Sequence, residues 1–410
     1  MPLRFEQHRL PNGLTIIAEC NDAAHTSAVG FFVKAGSRDE DKRVMGVSHF
    51  LEHMMFKGSA QRSADDVNRE FDEIGASYNA YTTQEMTAYY AQVLPEFLGR
   101  AVDLLGDMLR PSFRSDDFEM EKKVILEEIG MYEDRPPWRL QDSILETHFS
   151  PHPLSYRVLG TETSVGSLQV DQMRAYFTDR YGSDRITVAA AGRIPFDDLV
   201  DSVREIAGEW KRSAGDRQAD PPPLTSTQQD LVDPKLSRHY LAVMCRGPSV
   251  QDERRYAAGV LADVLGDAEG SRLYWALVDP GLADEADFSH LPHDQAGSYL
   301  AFASCDPARW AQVEAVLLQT LDAFIDDIDA AEIERAKNKI ATSVTLAGEN
   351  PGGRMRGLGS QWAYLGEYLP LQIELDRIMA VDVEDVRRLV KDMPFTPRTV
   401  VRLGPTPSSS

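Results

Sequence analysis

Two histidines and a glutamate lie together in the run HFLEH, which occupies positions 49 to 53. Successive residues of a helix are about 100° apart, so His49 and His53 would lie one turn apart on the same face, with Glu52 beside them. The flanking residues are mostly apolar, which indicates a buried helix, and Gly58 is a typical residue at a helix C-terminus. Three buried polar groups carry a desolvation cost unless something binds them, and a metal ion would do so.

The spacing H-x-x-E-H is typical of an inverted zinc-binding motif, in which the two histidines are metal ligands and the glutamate takes a proton from water on the metal. The pentapeptide alone is equally compatible with two hydrogen-bonded histidines and an exposed salt bridge. The apolar flanks favour the metal site. Catalytic zinc usually has three protein ligands and one water molecule, so a third ligand is required from elsewhere in the chain.

A second predicted helix, over positions 116 to 131, contains two glutamates that could supply this ligand. Glu121 and Glu128 are seven residues apart and therefore lie on one face, together with Val124 and Ile125. We predict that Glu128 is the third ligand, and that Glu121 is a further carboxylate that orients a ligand or shares a proton with it. A charged, solvated helix face is the alternative for this segment, and it accounts better for the other glutamates of the helix than for this pair.

These residues resemble the M16 metallopeptidases, the family of the mitochondrial processing peptidases, pitrilysin and the insulin-degrading enzymes. The resemblance lies in H-x-x-E-H, in a glutamate 75 positions after His53, and in another glutamate seven positions before that one. It extends to the runs LPNGL at positions 10 to 14, NAYT at 79 to 82 and VILEEI at 124 to 129. In the second half, the runs GSRL at 270 to 273 and RMRGLG at 354 to 359 are similar to less informative landmarks of the family.

The resemblance implies an α+β fold of two similar α/β lobes, the metallohydrolase fold of the mitochondrial processing peptidases, with antiparallel-rich sheets and helices packed on one face. It implies one zinc ion per chain, bound by His49, His53 and Glu128. Glu52 would be the general base of peptide hydrolysis. Glu121 would assist catalysis indirectly, by orienting one of the zinc ligands or sharing a proton with it.

The resemblance also concerns the substrate. In the family an Asn-Ala edge strand pairs with an extended peptide by strand addition, so that main-chain hydrogen bonds hold a peptide of almost any sequence. Asn79 and Ala80 would therefore contact the substrate. Without the resemblance, an ordinary strand with a turn asparagine is the simpler interpretation of these two residues.

A polar, proline-rich stretch divides the chain into two halves. Residues 1 to 211 would form the zinc-bearing lobe, 212 to 233 a linker, 234 to 405 a second lobe without the zinc motif, and 406 to 410 a disordered tail. The order of predicted strands and helices recurs after the linker, which indicates gene duplication.

The second lobe departs from the family pattern. Active members carry an arginine and a tyrosine after a Ser-Arg-Leu run, in the pattern Arg-x-x-x-Gly-Leu-Ala-Tyr, and these help to hold the substrate carbonyl. Here Val278 and Asp284 stand in their places, with one residue deleted between them. In several members the two halves of the site lie on different subunits, so an unlike partner could supply the pair.

Composition limits the partners and the compartment. The formal net charge of −22 disfavours nucleic acid and anionic membranes, because both require a positive protein face. No run of ~18 apolar residues is present, and the N-terminus shows no export signal. Three scattered cysteines form no disulfide framework, so a reducing compartment such as the cytoplasm is expected.

Three functions remain open at this point. The first is a zinc endopeptidase, active as a homodimer on short or unfolded peptides that enter a chamber between two chains, and the complete ligand set favours it. The second is the zinc-bearing subunit of a heterodimer with another M16-like chain, which the missing arginine and tyrosine favour. The third is a non-catalytic assembly subunit, and the complete ligand set argues against it.

Overall fold

A computed structural model describes residues 3–213, 217, 220–224 and 226–405. The chain forms two compact units, which we call the first and the second unit. The first unit comprises Met1–Gly130, Tyr156–Gln218 and Leu346–Leu369, and the second comprises Met131–Ser155, Ala219–Thr345 and Pro370–Ser410. The tail expected at positions 406 to 410 and part of the expected linker lie outside the described residues.

The strands of the described residues are five to ten residues long. They are β1 (Arg4–Arg9), β2 (Thr15–Cys20), β3 (Ser27–Val33), β4 (Ser77–Thr82), β5 (Thr87–Val93), β6 (Ile186–Gly192), β7 (Gln228–Val232), β8 (His239–Arg246), β9 (Glu285–His293), β10 (Ala296–Cys305) and β11 (Arg398–Gly404). The first six belong to the first unit and the other five to the second.

The α-helices connect and cover these strands. They are α1 (Val47–Met55), α2 (Ala64–Glu73), α3 (Leu98–Met108), α4 (Ser115–Glu133), α5 (Pro136–Phe149), α6 (Glu162–Ser167), α7 (Val170–Arg180), α8 (Phe196–Ala207), α9 (Arg255–Gly266), α10 (Trp310–Ala323), α11 (Ala330–Glu349), α12 (Pro351–Leu365), α13 (Leu371–Ala380) and α14 (Val383–Asp392). Within the described part of the chain, no helix combines the length and apolarity needed to cross a membrane.

The first unit contains a sheet with the strand order β1-β2-β6-β3-β5-β4. Neighbouring strands are antiparallel, except that β2 and β6 are parallel. Strands β3 and β6 are buried along their whole length, as their continuous apolar sequences predict for central strands. Strand β4, which carries the expected substrate residues, lies at one edge of this sheet.

The second unit contains a sheet with the order β7-β11-β8-β10-β9, in which β7 and β11 are parallel and the other neighbours antiparallel. If β1 is left out, the first sheet has the same order and the same strand directions. The predicted α+β class, with two similar lobes and antiparallel-rich sheets, is therefore confirmed.

The helices of the first unit pack mainly on one face of its sheet, and one helix covers the other face. The larger core contains Phe50 of α1, Leu105 of α3 and Phe118 of α4. On the opposite face, α12 approaches so closely that a Cβ on Gly359 would lie 2.2 Å from the ring of Phe32. In the second unit α9 and α10 cover one face of the sheet and α5 covers the other.

Two helices are placed differently from the continuous lobes of the sequence analysis. Helix α5 precedes the expected linker in sequence but belongs to the second unit, and α12 follows it but belongs to the first. Part of the expected linker, Gln228–Val232, forms β7. Hydrophobic periodicity shows that a helix has a buried face, but not which sheet that face contacts.

Candidate metal centre

The helix α1 begins immediately after a glycine in a conformation that other residues rarely adopt. Gly46 has a φ of +93°, and a Cβ there would lie 2.6 Å from the carbonyl oxygen of Leu159. The side chain of Glu40 accepts hydrogen bonds from the backbone N–H groups of Gly46 and Ser48, at 2.7 and 2.8 Å. An acidic side chain at this end of a helix satisfies N–H groups that have no partner within the helix. These contacts fix where α1 starts and therefore which of its residues face the core.

His49 and His53 lie one turn apart on α1, with ring centroids 4.7 Å apart. His49 is buried and His53 is half-buried. Burial, together with the neighbouring His53, lowers the pKa of His49 to about 3. The imidazole is therefore neutral at neutral pH, and the neutral form is the one that binds a metal ion.

Glu128 of α4 points at both imidazoles. Its Oε2 atom is 3.9 Å from His49 Nε2 and 3.8 Å from His53 Nε2. The potential ligand atoms of these three side chains all lie within 4.8 Å of one another. The distances are too long for hydrogen bonds. They are close to the separation of about 3.4 Å expected for two atoms bound at about 2.1 Å to one tetrahedral ion, so the donor set fits zinc.

Glu121 of α4 lies behind His53, outside this ligand group. Its Oε1 atom is 2.8 Å from His53 Nδ1, and its Oε2 atom is 2.5 Å from Lys57 Nζ. Burial opposes ionisation of Glu121, but hydrogen bonds from His53 and Lys57 outweigh it and lower the pKa of the carboxyl. A carboxylate that accepts a hydrogen bond from Nδ1 leaves the Nε2 lone pair of His53 directed at Glu128.

Glu52 lies on α1 between the two histidines, but its carboxylate is not part of the ligand group. Its Oε2 atom accepts a hydrogen bond of 2.5 Å from the hydroxyl of Thr82, at the end of β4. Burial raises the pKa of Glu52. A carboxylate whose pKa is moved towards neutral pH accepts a proton more readily than an ordinary glutamate. The position of Glu52 is therefore suited to general-base chemistry.

Asn79 and Ala80 lie on the edge strand β4. They pair with Tyr90 and Tyr89 of β5 on one side, and no strand among the described residues pairs with the other side. The backbone N–H of Ala80 donates to the side-chain oxygen of Asn79, at 2.8 Å. An unpaired strand edge is a template for an additional strand, so this edge is compatible with a bound peptide.

One detail of α4 differs from the prediction. Val124 is exposed, whereas Ile125 is buried. The buried residues of this helix are Phe118, Glu121, Lys122, Ile125 and Ile129. Val124 lies on the other flank of the Glu121–Glu128 stripe, and the seven-residue spacing of the glutamates does not show which flank faces the core.

The positions that replace the family's arginine and tyrosine have local roles in the second unit. Val278 packs against the core of that unit. Asp284 pairs with Arg238 at 2.9 Å. The nearby Arg272 pairs with Glu332 at 2.6 Å. The guanidinium group closest in sequence to the missing pair is thus held by an ion pair within its own unit.

Sequence reasoning assigns no role to three residues that hold the centre together, namely Glu40, Lys57 and Thr82. Lys57 is four residues after His53 and two after the end of α1, and this spacing is a usable signal because side chains four apart lie close together where a helix ends. Glu40 and Thr82 reach α1 from other segments, and no spacing in the sequence marks their contacts.

The fold and the ligand group define a metallohydrolase-type centre on a duplicated α+β scaffold. Two family models match the chain. Residues 15–162 match the insulinase family (peptidase family M16), and residues 167–340 match the M16 inactive domain. The chain belongs to the M16 peptidase family.

Similar proteins from bacteria are named as zinc proteases. The uncharacterized zinc protease YmxG of Bacillus subtilis is 31% identical over 95% of each chain. An uncharacterized zinc protease of Mycobacterium tuberculosis is 34% identical over 97% of this chain and 92% of the relative. These names support a zinc-dependent protease, while the model that matches the second half is called inactive.

Solved structures share the fold over nearly the whole chain. A protease from Helicobacter pylori has a TM-score of 0.90 at 19% identity and covers 98% of this chain and 100% of its own. An M16 inactive domain from Pseudomonas fluorescens also has a TM-score of 0.90, at 16% identity, and covers 100% of this chain and 99% of its own. At these identities the likeness concerns the fold alone.

Proposed function

We propose that this chain is a zinc-dependent endopeptidase that hydrolyses short or unfolded peptides. The observation that carries the proposal is the convergence of His49, His53 and Glu128 from two separate helices, with Glu52 beside them and outside the ligand group. Two imidazoles and one carboxylate leave a fourth tetrahedral position open, which is typical of catalytic rather than structural zinc sites.

The side chains divide the chemistry between them. Zinc bound by the ligand group would polarise the scissile carbonyl and make water acidic enough to lose a proton near neutral pH. Glu52 would accept that proton and then pass it to the leaving amine. The raised pKa of Glu52 and its hydrogen bond to Thr82 support this role. Glu121 would act indirectly, by holding His53 through Nδ1.

The edge of β4 would bind the peptide main chain. Asn79 and Ala80 lie on this edge, and a peptide added as a further strand would use their backbone groups. The side chain of Asn79 would have to release the N–H of Ala80 for that amide to bind the peptide. Recognition through the backbone would make the enzyme tolerant of peptide sequence, which suits a peptidase for short or unfolded chains.

We propose that the active form is a dimer of two M16-like chains that enclose a chamber. A homodimer is the first possibility. A heterodimer is the second, and Val278 and Asp284 favour it because neither can supply the guanidinium or phenol of the family's pair. Cleavage of peptides by the purified chain alone would support the homodimer, whereas cleavage only after addition of a second M16-like chain would support the heterodimer.

The cytoplasm is the compartment that we propose. Cys20, Cys245 and Cys305 are all buried free thiols. Burial raises the pKa of each thiol, so they are packed side chains rather than reactive ones. Thiols without disulfide partners are usual in reducing compartments.

The substitution Glu52→Gln tests the proposed reaction. We expect zinc to be retained and hydrolysis of a fluorogenic peptide pool to fall by about 10²- to 10⁴-fold, because the amide cannot accept the proton. The control is Glu127→Gln, which changes an exposed glutamate of α4 and should leave both properties intact. Hydrolysis by Glu52→Gln at nearly the wild-type rate would refute the assignment of the base.

A further inference from the structure

The carboxylate of Glu52 is held by one side chain from outside its own helix. Thr82 Oγ1 donates to Glu52 Oε2 at 2.5 Å, and no second donor to this carboxylate is found in the described part of the chain. A hydroxyl-to-carboxylate hydrogen bond of this length is of the strong, charge-assisted kind. The rotamer of Glu52 therefore depends on where Thr82 lies.

The position of Thr82 is fixed by the strand that carries it. Thr82 is the last residue of β4 and pairs with Thr87 of β5. Side chains alternate between the two faces of a strand, so Thr82 lies on the same face as Tyr78 and opposite to Tyr81. Tyr78 stacks on the ring of Phe71, 4.1 Å away, in the larger core of the first unit. Strand alternation thus directs the hydroxyl of Thr82 towards α1 and Glu52.

Thr82 lies beside a buried group of hydroxyls, so its hydroxyl hydrogen has two nearby acceptors, Glu52 and Thr87. Thr87 Oγ1 lies 3.5 Å from Thr82 Oγ1 and donates its own hydrogen to the carbonyl oxygen of Ala35, at 2.9 Å. Farther along β5, the hydroxyls of Tyr89 and Tyr181 lie 3.1 Å apart, and both rings are buried. Thr82 has a single hydrogen, and the ionised Glu52 can only accept. The contact with Glu52 is 2.5 Å and that with Thr87 is 3.5 Å, so the hydrogen of Thr82 is donated to Glu52.

We propose that Thr82 is a positioning residue for Glu52, whose carboxylate it holds beside the ligand group formed by His49, His53 and Glu128. This inference rests on the proposed function, in which Glu52 is the base. Strand β4 would then have two roles. Its edge would bind the peptide, and its last residue, Thr82, would orient Glu52, the group that moves the proton. Placement of a base to within a fraction of an ångström matters because small displacements lower the rate of the chemical step much more than they lower binding.

The test compares two substitutions at this position. Thr82→Val keeps the β-branched shape and removes the hydroxyl, and we expect kcat to fall by about 10- to 100-fold while KM stays within about twofold. Thr82→Ser restores the hydroxyl, and we expect its kcat to return to within about threefold of the wild type. A purely structural role for Thr82 would not give this pattern of loss in kcat and rescue by serine.

The matched control is Thr83→Val. The hydroxyl of Thr83 accepts hydrogen bonds from the backbone N–H groups of Glu85 and Met86 in the β4–β5 turn, at 3.2 and 3.1 Å. Its loss should lower the melting temperature but leave kcat unchanged at a temperature well below unfolding. Zinc content, measured for every variant, should stay at the wild-type value. A Thr82→Val enzyme with wild-type kcat, or a Thr82→Ser enzyme as slow as Thr82→Val, would overturn the inference.

A second readout does not require activity. Crystal structures of the wild type and of Thr82→Val should show the Glu52 carboxylate displaced in the variant, with α1 unchanged. An unmoved carboxylate would overturn the positioning role even if the enzyme is active. If the wild type fails to cleave peptides while the carboxylate moves as expected, it is the proposed function that fails, and the role of Thr82 in holding Glu52 stands.

Discussion

The two sheets of this protein share strand order and strand directions, but they are accompanied by different helices. Helix α1 follows β3 and presents two histidines and a glutamate from an apolar surrounding. Helix α9 follows the corresponding strand β8, and its buried residues are alanines, valines, leucines and a glycine. Among the described residues, the group of potential metal ligands belongs to the first of these helices and to α4. The scaffold is repeated, whereas the chemistry depends on a few side chains placed on one copy.

The helices α4 and α11, which are the second α-helices after the corresponding strands β5 and β10, show the same difference. Lys337 of α11 is buried, and its Nζ donates to the carbonyl oxygen of Val381 at 3.0 Å and to Glu334 at 2.6 Å. Glu128 of α4 has imidazole nitrogens 3.8 and 3.9 Å away, beyond hydrogen-bond distance. The buried Lys337 thus finds its acceptors within the protein, while His49, His53 and Glu128 are left in the geometry expected around a shared ion.

The largest effect is expected when one of the proposed zinc ligands is removed. We expect His53→Ala to lose zinc almost completely on dialysis and to lose peptide hydrolysis with it, because two ligands cannot hold a catalytic ion. Zinc quantification after dialysis measures the effect. The control is His25→Ala, at an exposed histidine of the same unit, which should keep one zinc per chain. Full retention of zinc by His53→Ala would show that the proposed centre in the first unit does not bind the metal, and the contrast with the second unit would be lost.

A smaller effect is expected from the carboxylate behind the ligand. Glu121→Gln weakens the hydrogen bond to His53 Nδ1 and removes the ion pair with Lys57, so zinc affinity should fall by about 10- to 100-fold. Competition with a zinc-binding dye measures this change. Glu119→Gln is the matched control on the same helix, since Glu119 is exposed, and it should leave the affinity unchanged. Equal affinities in the two variants would remove Glu121 from the account.

The last prediction concerns stability and leaves the metal centre unaffected, and it compares two buried histidines. Burial lowers the pKa of His148 in the second unit to about 4, and its Nδ1 lies 3.0 Å from Thr399 Oγ1. The unfolded chain binds this proton near pH 6.5, so the unfolded state holds more protons than the folded state between pH 6.5 and 4. The stabilisation is complete above pH 6.5 and is lost as the pH falls towards 4. Urea denaturation should show a loss of up to about 3 kcal/mol over this range, because each unit of pKa shift corresponds to about 1.4 kcal/mol.

The variant His148→Gln should flatten this part of the pH dependence, and His25→Gln should not. A variant with an unchanged slope would show that His148 is not the group responsible. The comparison separates a histidine that is merely buried from His49, whose Nε2 faces a second imidazole and a carboxylate.

Local spacing is sufficient to predict the helix that carries the centre. His49, Glu52 and His53 are within one turn, so their relative placement follows from helix geometry alone. Glu128 is 75 residues away from His53, and the prediction that it is the third ligand rests on the helix face that it shares with Glu121. The resemblance to the M16 family supports the same choice. The structure brings His49, His53 and Glu128 together, with Glu121 behind His53.

Contacts between distant segments could not be predicted in the same way. The assignment of α5 and α12 to the units on the other side of the expected linker depends on which sheet each apolar face meets, and periodicity carries no such information. The hydrogen bond between Thr82 and Glu52 joins a strand end to a helix. It could be found only once the register of β4 against β5 was known.

The most direct test is to locate the metal. Crystals of the zinc-loaded protein should give one anomalous difference peak per chain at the zinc absorption edge, about 2.0 to 2.2 Å from His49 Nε2, His53 Nε2 and a carboxylate oxygen of Glu128. A peak at that place would establish that these three side chains share one ion. A zinc-loaded crystal with no peak there, or with Glu128 turned away from both imidazoles, would contradict the account.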